Sequence, residues 1–231
     1  MLLLAIDTSG KNGSVALARA RFHGQSGDSN AINVIEVVPL AGGTFSAQLV
    51  PQIAALLVQH GFTKHDLDAF VVASGPGSFT GLRVGLAAVK ALAEILRKPI
   101  AAVSLLEAVA LAGGSEGRAL AALDAGRSEV YAGRYQISGD SAQPLREELL
   151  AREEFLTGAR GWKIITPDAN IAEAAKAAGL SVVAIGAINA GVLARPGWKK
   201  IQAGHTVSPD QLEANYIRRT DAEIFAKKGG F

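Results

Sequence analysis

Residues 5–17 read AIDTSGKNGSVAL and residues 122–135 read ALDAGRSEVYAGRY. Each begins with an apolar run closed by an aspartate, Asp7 or Asp124. A short polar turn follows, and then a second run with strand-forming residues. That order predicts a β-hairpin near the start of each half of the chain.

Outward from the first hairpin, Met1–Ile6 and Ser14–Ala20 are its strands, Gly24–Asn30 reads as a loop and Ile32–Leu40 as a third strand. Ser46–His60 carries apolar residues at helical spacing (Leu49, Ile53, Leu56, Leu57) and Gly61 stops it. Thr63 with Asp66 reads as a capped turn. Ala69–Ala73 is an apolar strand, Ser78–Arg97 a long helix, Ile100–Val103 a strand, and a helix follows from about Ser104. After the Gly113–Gly117 loop the order recurs. Strands at Ala119–Leu123, Glu129–Gln136 and Leu145–Leu150 precede a short helix at Glu153–Leu156. Then come strand Lys163–Thr166, helix Ile171–Ala178, strand Ser181–Ile185 and helix Asn189–Ala194. A β-β-β-α-β-α-β series met twice predicts an α/β, actin-like ATPase (ASKHA, ribonuclease H-like) fold. Its two similar lobes would each hold a mixed sheet flanked by helices. Residues 1–104 form the expected first lobe and 105–231 the second, with the C-terminal helix free to pack back on the first.

Composition narrows the function classes. Of 231 residues, 49% are apolar and 19% charged, a globular balance, and there is no cysteine for a disulfide, a thiolate metal site or a thiol nucleophile. His23, His60, His65 and His205 form no HxxxH or HExxH pair, so no metal site is expected. There is no GxSxG elbow. MLLLAI lacks a basic leader and Asp7 interrupts its apolar run, so a cytoplasmic, membrane-free protein is expected. Net charge is only +2; the pairs Lys199-Lys200, Arg218-Arg219 and Lys227-Lys228 tilt the last third basic without an aromatic platform beside them.

Three constellations carry candidate chemistry. In the first, Asp7, Thr8, Ser9 and Gly10 read either as a phosphate loop with a magnesium-orienting carboxylate or as an ordinary hairpin turn. The second is SGPGSFTGLRVGLAAVKAL, residues 74–92. Its Gly75-Pro76-Gly77 turn leads to Ser78, Phe79, Thr80, Gly81 and Arg83 at a helix start. Exposed N–H groups there suit an anion, and the other reading is a close-packed strand-to-helix turn through Gly77, Gly81 and Gly85. It is not a P-loop, since the GxxxxGK[ST] spacing is missing. The third is Asp124, either a second acidic nucleotide-site residue or the first residue of a plain turn. GAINAG (186–191) is a poor match to an adenosine loop.

On the Ser78–Arg97 helix, Arg83, Ala87, Lys90, Glu94 and Arg97 make one narrow polar stripe. Val84, Ala91 and Ile95 lie on one flank, and Leu82, Leu86 and Ala93 on the other. So broad an apolar coat predicts burial against a second surface, either another helix of the lobe or a partner protein; a partner contact would include the Leu49, Ile53 and Leu57 helix.

The segments LAIDTSGKNGSVAL, SGPGSFTGLRVGLAAVKAL, LDAGRSEVYAGRY and ANYIRRTDAE resemble the bacterial TsaB (YeaZ) family over nearly the whole chain. That resemblance implies a non-catalytic dimerization subunit for tRNA threonylcarbamoyladenosine synthesis at adenosine 37 of ANN-decoding tRNAs. It would pair with the TsaD transferase through its first-lobe helices. A TsaE ATPase would dock on the pair, and the chain would form a homodimer when alone. tRNA would be met through the complex. No cofactor of its own is expected, beyond weak adenine-nucleotide binding at the complex interface. The alternatives are a stand-alone actin-like ATPase or phosphotransferase and a glycoprotease-like peptidase. Asp7 and Asp124 support the first, and no nucleophile–base pair supports the second. The chain departs from the family where Phe45-Ser46 replaces His-Ser, where Asp124-Ala125-Gly126 replaces Asp-Ala-Arg, and at Ala214, where a proline is usual.

Overall fold

The computed structural model describes residues 1–21 and 32–218. His23, the loop expected at Gly24–Asn30, and residues 219–231, with Arg219 and the Lys227-Lys228 pair, lie outside the described residues. The first sheet holds β1 (Leu2–Asp7), β2 (Gly13–Ala20), β3 (Ile32–Leu40), β4 (Ala69–Gly75) and β5 (Ile100–Ser104) in the order β3-β2-β1-β4-β5. β1 pairs antiparallel with β2, from Leu2 opposite Arg19 to Asp7 opposite Ser14, and parallel with β4. The second sheet holds β6 (Gly117–Gly126), β7 (Glu129–Ser138), β8 (Ser141–Ala151), β9 (Lys163–Thr166) and β10 (Val182–Ala184). Its order, β10-β9-β6-β7-β8, repeats the connectivity of the first. Two lobes of one topology, each a mixed sheet flanked by helices, are the expected actin-like arrangement.

Both faces of the first sheet are covered, which is why β1 is apolar without alternation. Leu2, Leu4 and Ile6 meet α1 (Phe45–Gln59) and α2 (Phe79–Leu96), while Leu3 and Ala5 face the other way, with Val71 and Val103. That second face carries α6 (Ala190–Gln202). The sequence places a helix at 189–194 in the second-lobe series and leaves the C-terminal helix free to pack back on the first lobe; α6 is longer than expected and docks there. The cause is local. Asn189 caps the N–H groups of Gly191 and Val192, and the buried Ser14 hydroxyl accepts the Ala190 N–H at 2.8 Å. Gly197 then lies so close to β4 that a Cβ there would stand 2.4 Å from Val71 Cγ1. Trp198 and Leu193 are buried beside it.

In the second lobe α4 (Arg152–Gly158) and α5 (Ala169–Ala177) cover one face through Phe155 and Ile171. α3 (Leu105–Ala112) lies between the sheets. Its Leu105 and Ala108 join the first-lobe core, and Leu106, Val109 and Ala110 join the second. Among the described residues no helix is long and apolar enough to cross a membrane.

Candidate functional site

The SGPGSFTGLRVG segment ends β4 and starts α2, directly over the first hairpin turn. Ser78 caps α2 by accepting the Gly81 N–H at 3.3 Å, and its own N–H donates to Ser9 O at 2.7 Å. The Thr8 hydroxyl donates to Gly81 O at 2.7 Å. The glycines permit this approach: a Cβ on Gly81 would stand 2.0 Å from Thr8 O, and one on Gly85 2.4 Å from Thr8 Oγ1. Nothing larger than hydrogen fits there. The motif therefore acts as a clamp that presses a helix N-terminus onto the turn after β1.

That clamp engages the side-chain donors of the turn. Asp7, Thr8 and Ser9 are buried, and Gly10 is the exposed member of the expected loop. The Ser9 N–H (2.9 Å) and hydroxyl (2.5 Å) both donate to Asp7 Oδ1, and the Thr8 hydroxyl is spent on Gly81. Burial pushes the Asp7 carboxyl above its usual range, against the lowering effect of Ser9, so the group resists charging. Asp7 serves to hold Ser9 in the turn.

Between the lobes lies a cleft of about 610 Å³, where Ser9, Gly10, Ser78 and Thr80 of the first lobe meet Asp124 and Tyr131 of the second. The two aspartates are not equivalent there. Asp124 is partly exposed and lines the cleft, whereas Asp7 is sealed behind Ser9. The Asp124 carboxylate accepts the Gly126 N–H at 3.0 Å, a turn-closing bond, and lies 4.0 Å from Arg152. Its backbone N–H donates to Asp168 Oδ2 at 2.8 Å. Asp168 is raised above the usual carboxylate range, chiefly by burial.

Arg83 lies over the Phe79 ring (3.7 Å) and donates Nε–H to the Tyr216 hydroxyl at 3.1 Å. Phe79 and Tyr216 are in ring contact at 5.1 Å. The returning chain holds this stack in place, because the Asn215 N–H donates to Ser74 O at 2.7 Å. Gly75, at φ 126°, leaves room for the Asn215 carbonyl. Asn215 Nδ2 donates to Glu147 Oε2 at 2.6 Å, and Glu147 Oε1 accepts from the Ser104 hydroxyl (2.5 Å) and from the Tyr135 hydroxyl. One second-lobe carboxylate thus ties β5, β7 and the C-terminal segment together. Burial first, and Glu147 second, raises the Tyr135 phenol far above its ordinary value, so it stays a donor. Sequence reasoning missed Glu147 and Asn215. Nothing in the charged run Arg146-Glu147-Glu148 separates the residue that turns inward.

The outer faces of α1 and α2 differ from the expected interface set. Leu49, Ile53 and Leu57 are buried beneath α1, and Leu86 and Ala93 beneath α2, all in the first-lobe core. They cannot meet a partner. Ala91 and Ile95 do face outward, with Val84 half-buried beside them. On α1 the exposed residues are Ser46, Ala47, Val50, Pro51, Ala54, Ala55, Val58 and Gln59, none of them charged, and Ala47, Val50, Pro51, Ala54 and Val58 form an apolar row along one side. Val50 is 57%, Val58 76% and Ile95 72% exposed. A periodicity argument finds the inward stripe first. The outward one shows only as small apolar residues where a solvated helix would carry Lys or Glu.

A family model described as TsaD, tRNA N6-adenosine threonylcarbamoyltransferase, matches residues 37–188. The chain is 34% identical over 179 residues to the tRNA threonylcarbamoyladenosine biosynthesis protein TsaB of Escherichia coli, covering 71% of this chain and 73% of that protein. The chain belongs to the TsaB (YeaZ) family. To the Bacillus subtilis TsaB it is 36% identical over 137 residues, 59% of this chain and 56% of the relative. The chain thus spans little more than half the length of several of the family's curated members. The solved structure described as YeaZ from Pseudomonas aeruginosa superposes with a TM-score of 0.73 at 27% identity, over 93% of this chain and all of that one.

Proposed function

We propose that this chain is a non-catalytic partner subunit in the synthesis of threonylcarbamoyladenosine on tRNA, pairing with a TsaD-type transferase through the exposed faces of α1 and α2. The observation that carries this is the apolar outer row of Ala47, Val50, Pro51, Ala54 and Val58 on α1, together with Ala91 and Ile95 exposed on α2, which packs against it. Exposed apolar side chains gathered on two packed helices gain from burial in a partner. The functions for which the relatives are named supply the kind of partner. Without that partner the same face meets a second copy of the chain, and a TsaE-like ATPase docks on the heterodimer. tRNA is modified by the assembly.

A stand-alone phosphotransferase fits the site less well. Such a catalyst needs the β1–β2 turn to offer free donors, and the Thr8 and Ser9 hydroxyls and the Ser9 N–H are engaged within the fold. The test is reconstitution. A TsaD-like paralogue, a TsaE-like ATPase, the threonylcarbamoyl donor and tRNA should form the modified base only when this chain is added. The chain by itself should neither hydrolyse ATP nor modify tRNA. Turnover by the isolated chain on the order of 1 s⁻¹, lost on Asp7→Ala, would refute the proposal.

A further inference from the structure

At the far end of the second lobe from the interdomain cleft, three segments form an open cleft of about 690 Å³. They are the start of β6, the α4–β9 loop (159–162) with Lys163 at the start of β9, and the α5–β10 loop (178–181). Arg118, Arg160 and Lys163 line it, all exposed, and no carboxylate does. Among the described residues none of the three has an ion pair; the bridges at this end of the sheet join Arg134 and Arg146 to Glu148 instead. The nearest acidic neighbour in sequence, Glu116, is exposed and spends Oε1 on the Gly139 N–H at 2.8 Å. The chain as a whole is nearly neutral, with 23 basic and 21 acidic residues, so composition does not require three uncompensated cations in one place.

Arg118 is also ordered. Its guanidinium lies 4.2 Å over the Trp162 ring, and Trp162 is packed on the core beside Leu156 and Leu180. The Arg134 guanidinium, 5.8 Å from the ring centre, also contacts that indole. A stacked guanidinium has lost its freedom before any ligand arrives and keeps its N–H edge available, a geometry suited to phosphate oxygens. A site for one small anion would be closed and lined by converging donors. This one is open and carries three cations and no carboxylate, which suits a chain of phosphates better than a single ion.

We propose that the Arg118–Arg160–Lys163 cleft binds the phosphodiester backbone of RNA, giving this chain a direct, sequence-independent hold on the tRNA. The choice of RNA among polyanions rests on the tRNA-modification reading above. Arg118 is about six residues, or roughly 20 Å, along β6 from Asp124. The cleft is on the second lobe, so a partner seated on α1 and α2 of the first does not cover it.

The experiment is fluorescence anisotropy of labelled tRNA with the full chain, alone and with its TsaD-like partner, from 50 to 200 mM salt. An unrelated structured RNA and anionic phosphatidylserine vesicles are run beside it. The double variant Arg160→Glu/Lys163→Glu leaves the Arg118–Trp162 stack intact; Arg118→Ala is measured separately, and thermal melts check that each variant folds. The expected result for the double variant is at least tenfold weaker binding of both RNAs. The slope of log K against log salt should fall by about 1.5–2, close to 0.9 for each phosphate that the variant no longer neutralises. Unchanged affinity and slope, no RNA binding by the wild type, or tighter binding to vesicles than to RNA overturns the inference. Pairing with the TsaD-like partner is read in the same samples by light scattering. Loss of RNA binding with pairing intact supports this cleft, whereas absent pairing with RNA binding intact refutes the partner reading and leaves the cleft standing.

Discussion

Gly81→Ala tests the clamp at its tightest point. The new methyl would lie 2.0 Å from the Thr8 carbonyl oxygen, a contact of backbone with backbone in which neither side can rotate away. α2 must move outward by more than about 1 Å to reach an ordinary contact, and the Thr8–Gly81 and Ser78–Ser9 hydrogen bonds lengthen with it. Overpacking of this kind costs about 1–3 kcal/mol. A weakened buried hydrogen bond adds about 1–2 kcal/mol, and replacing glycine within a helix returns at most about 1 kcal/mol. The net expectation is a loss of about 2–3 kcal/mol. Gly85→Ala meets the Thr8 hydroxyl instead, at 2.4 Å, and that group can turn aside by giving up one hydrogen bond, so its loss should be about 1 kcal/mol. Thr8→Ala should then relieve Gly85→Ala and leave Gly81→Ala as damaging as before. Equilibrium denaturation by urea reads all these variants, with Trp198 reporting on the first lobe and Trp162 on the second. A Gly81→Ala protein within about 0.5 kcal/mol of wild type, or one rescued by Thr8→Ala, would refute the clamp.

Asp7→Asn should stabilise the protein at neutral pH. Burial holds the folded carboxyl above the ordinary 3.8, so between that value and the folded one the native state binds more protons than the unfolded chain. Stability therefore falls as pH rises through this window; the amide should flatten that slope in pH-dependent melts and still accept from Ser9. Ser128→Gly should add about 0.5–1 kcal/mol, because Arg127 and Ser128 fill a two-residue hairpin turn at φ 54° and 61°, where glycine is unstrained; a lower melting temperature would contradict this. Glu147→Ala should cost about 2–4 kcal/mol by leaving the Tyr135 hydroxyl and the Asn215 amide without their acceptor. Asn215→Ala made on that background should then cost less than it does alone, and full additivity would show that the two do not act together.

Much of the fold was legible because hydrophobic period and turn residues agree. β1 and the Asp7–Gly13 turn, β4 before Gly75-Pro76-Gly77, and the repeat of this order after residue 117 all follow from local pattern. α6 is the exception. Its sequence says helix, but what sends it to the first lobe is Ser14 and Val71, more than a hundred residues away. The candidate site was legible as a set of segments, with its chemistry left open between a phosphate loop and a plain turn. Asp7, Thr8 and Ser9 have the residue types of a phosphate loop; close packing through Gly81 and Gly85 is one reading of the sequence, but only the fold shows that Thr8 is what they close on. On α1 and α2 size misleads in the other direction: Leu49, Ile53 and Leu57 stand out and serve the core, while the small Ala47, Ala54 and Ala91 face outward.

Pairing through that outward face is the central claim, and one exposed position tests it without disturbing the core. Ala91 is exposed on α2, whereas Ala93, two residues on, is 1% exposed. Purified chain carrying Ala91→Glu is mixed with its TsaD-like paralogue and the molar mass is followed by light scattering across micromolar concentrations. Wild type should form the heterodimer and Ala91→Glu should melt like wild type. The variant should bind the paralogue at least tenfold more weakly, about 1.4 kcal/mol, because a carboxylate would be buried without a partner charge. Ala93→Glu, by contrast, should fail to fold. A folded Ala91→Glu protein that pairs with the paralogue as tightly as wild type would place the interface elsewhere and contradict the account.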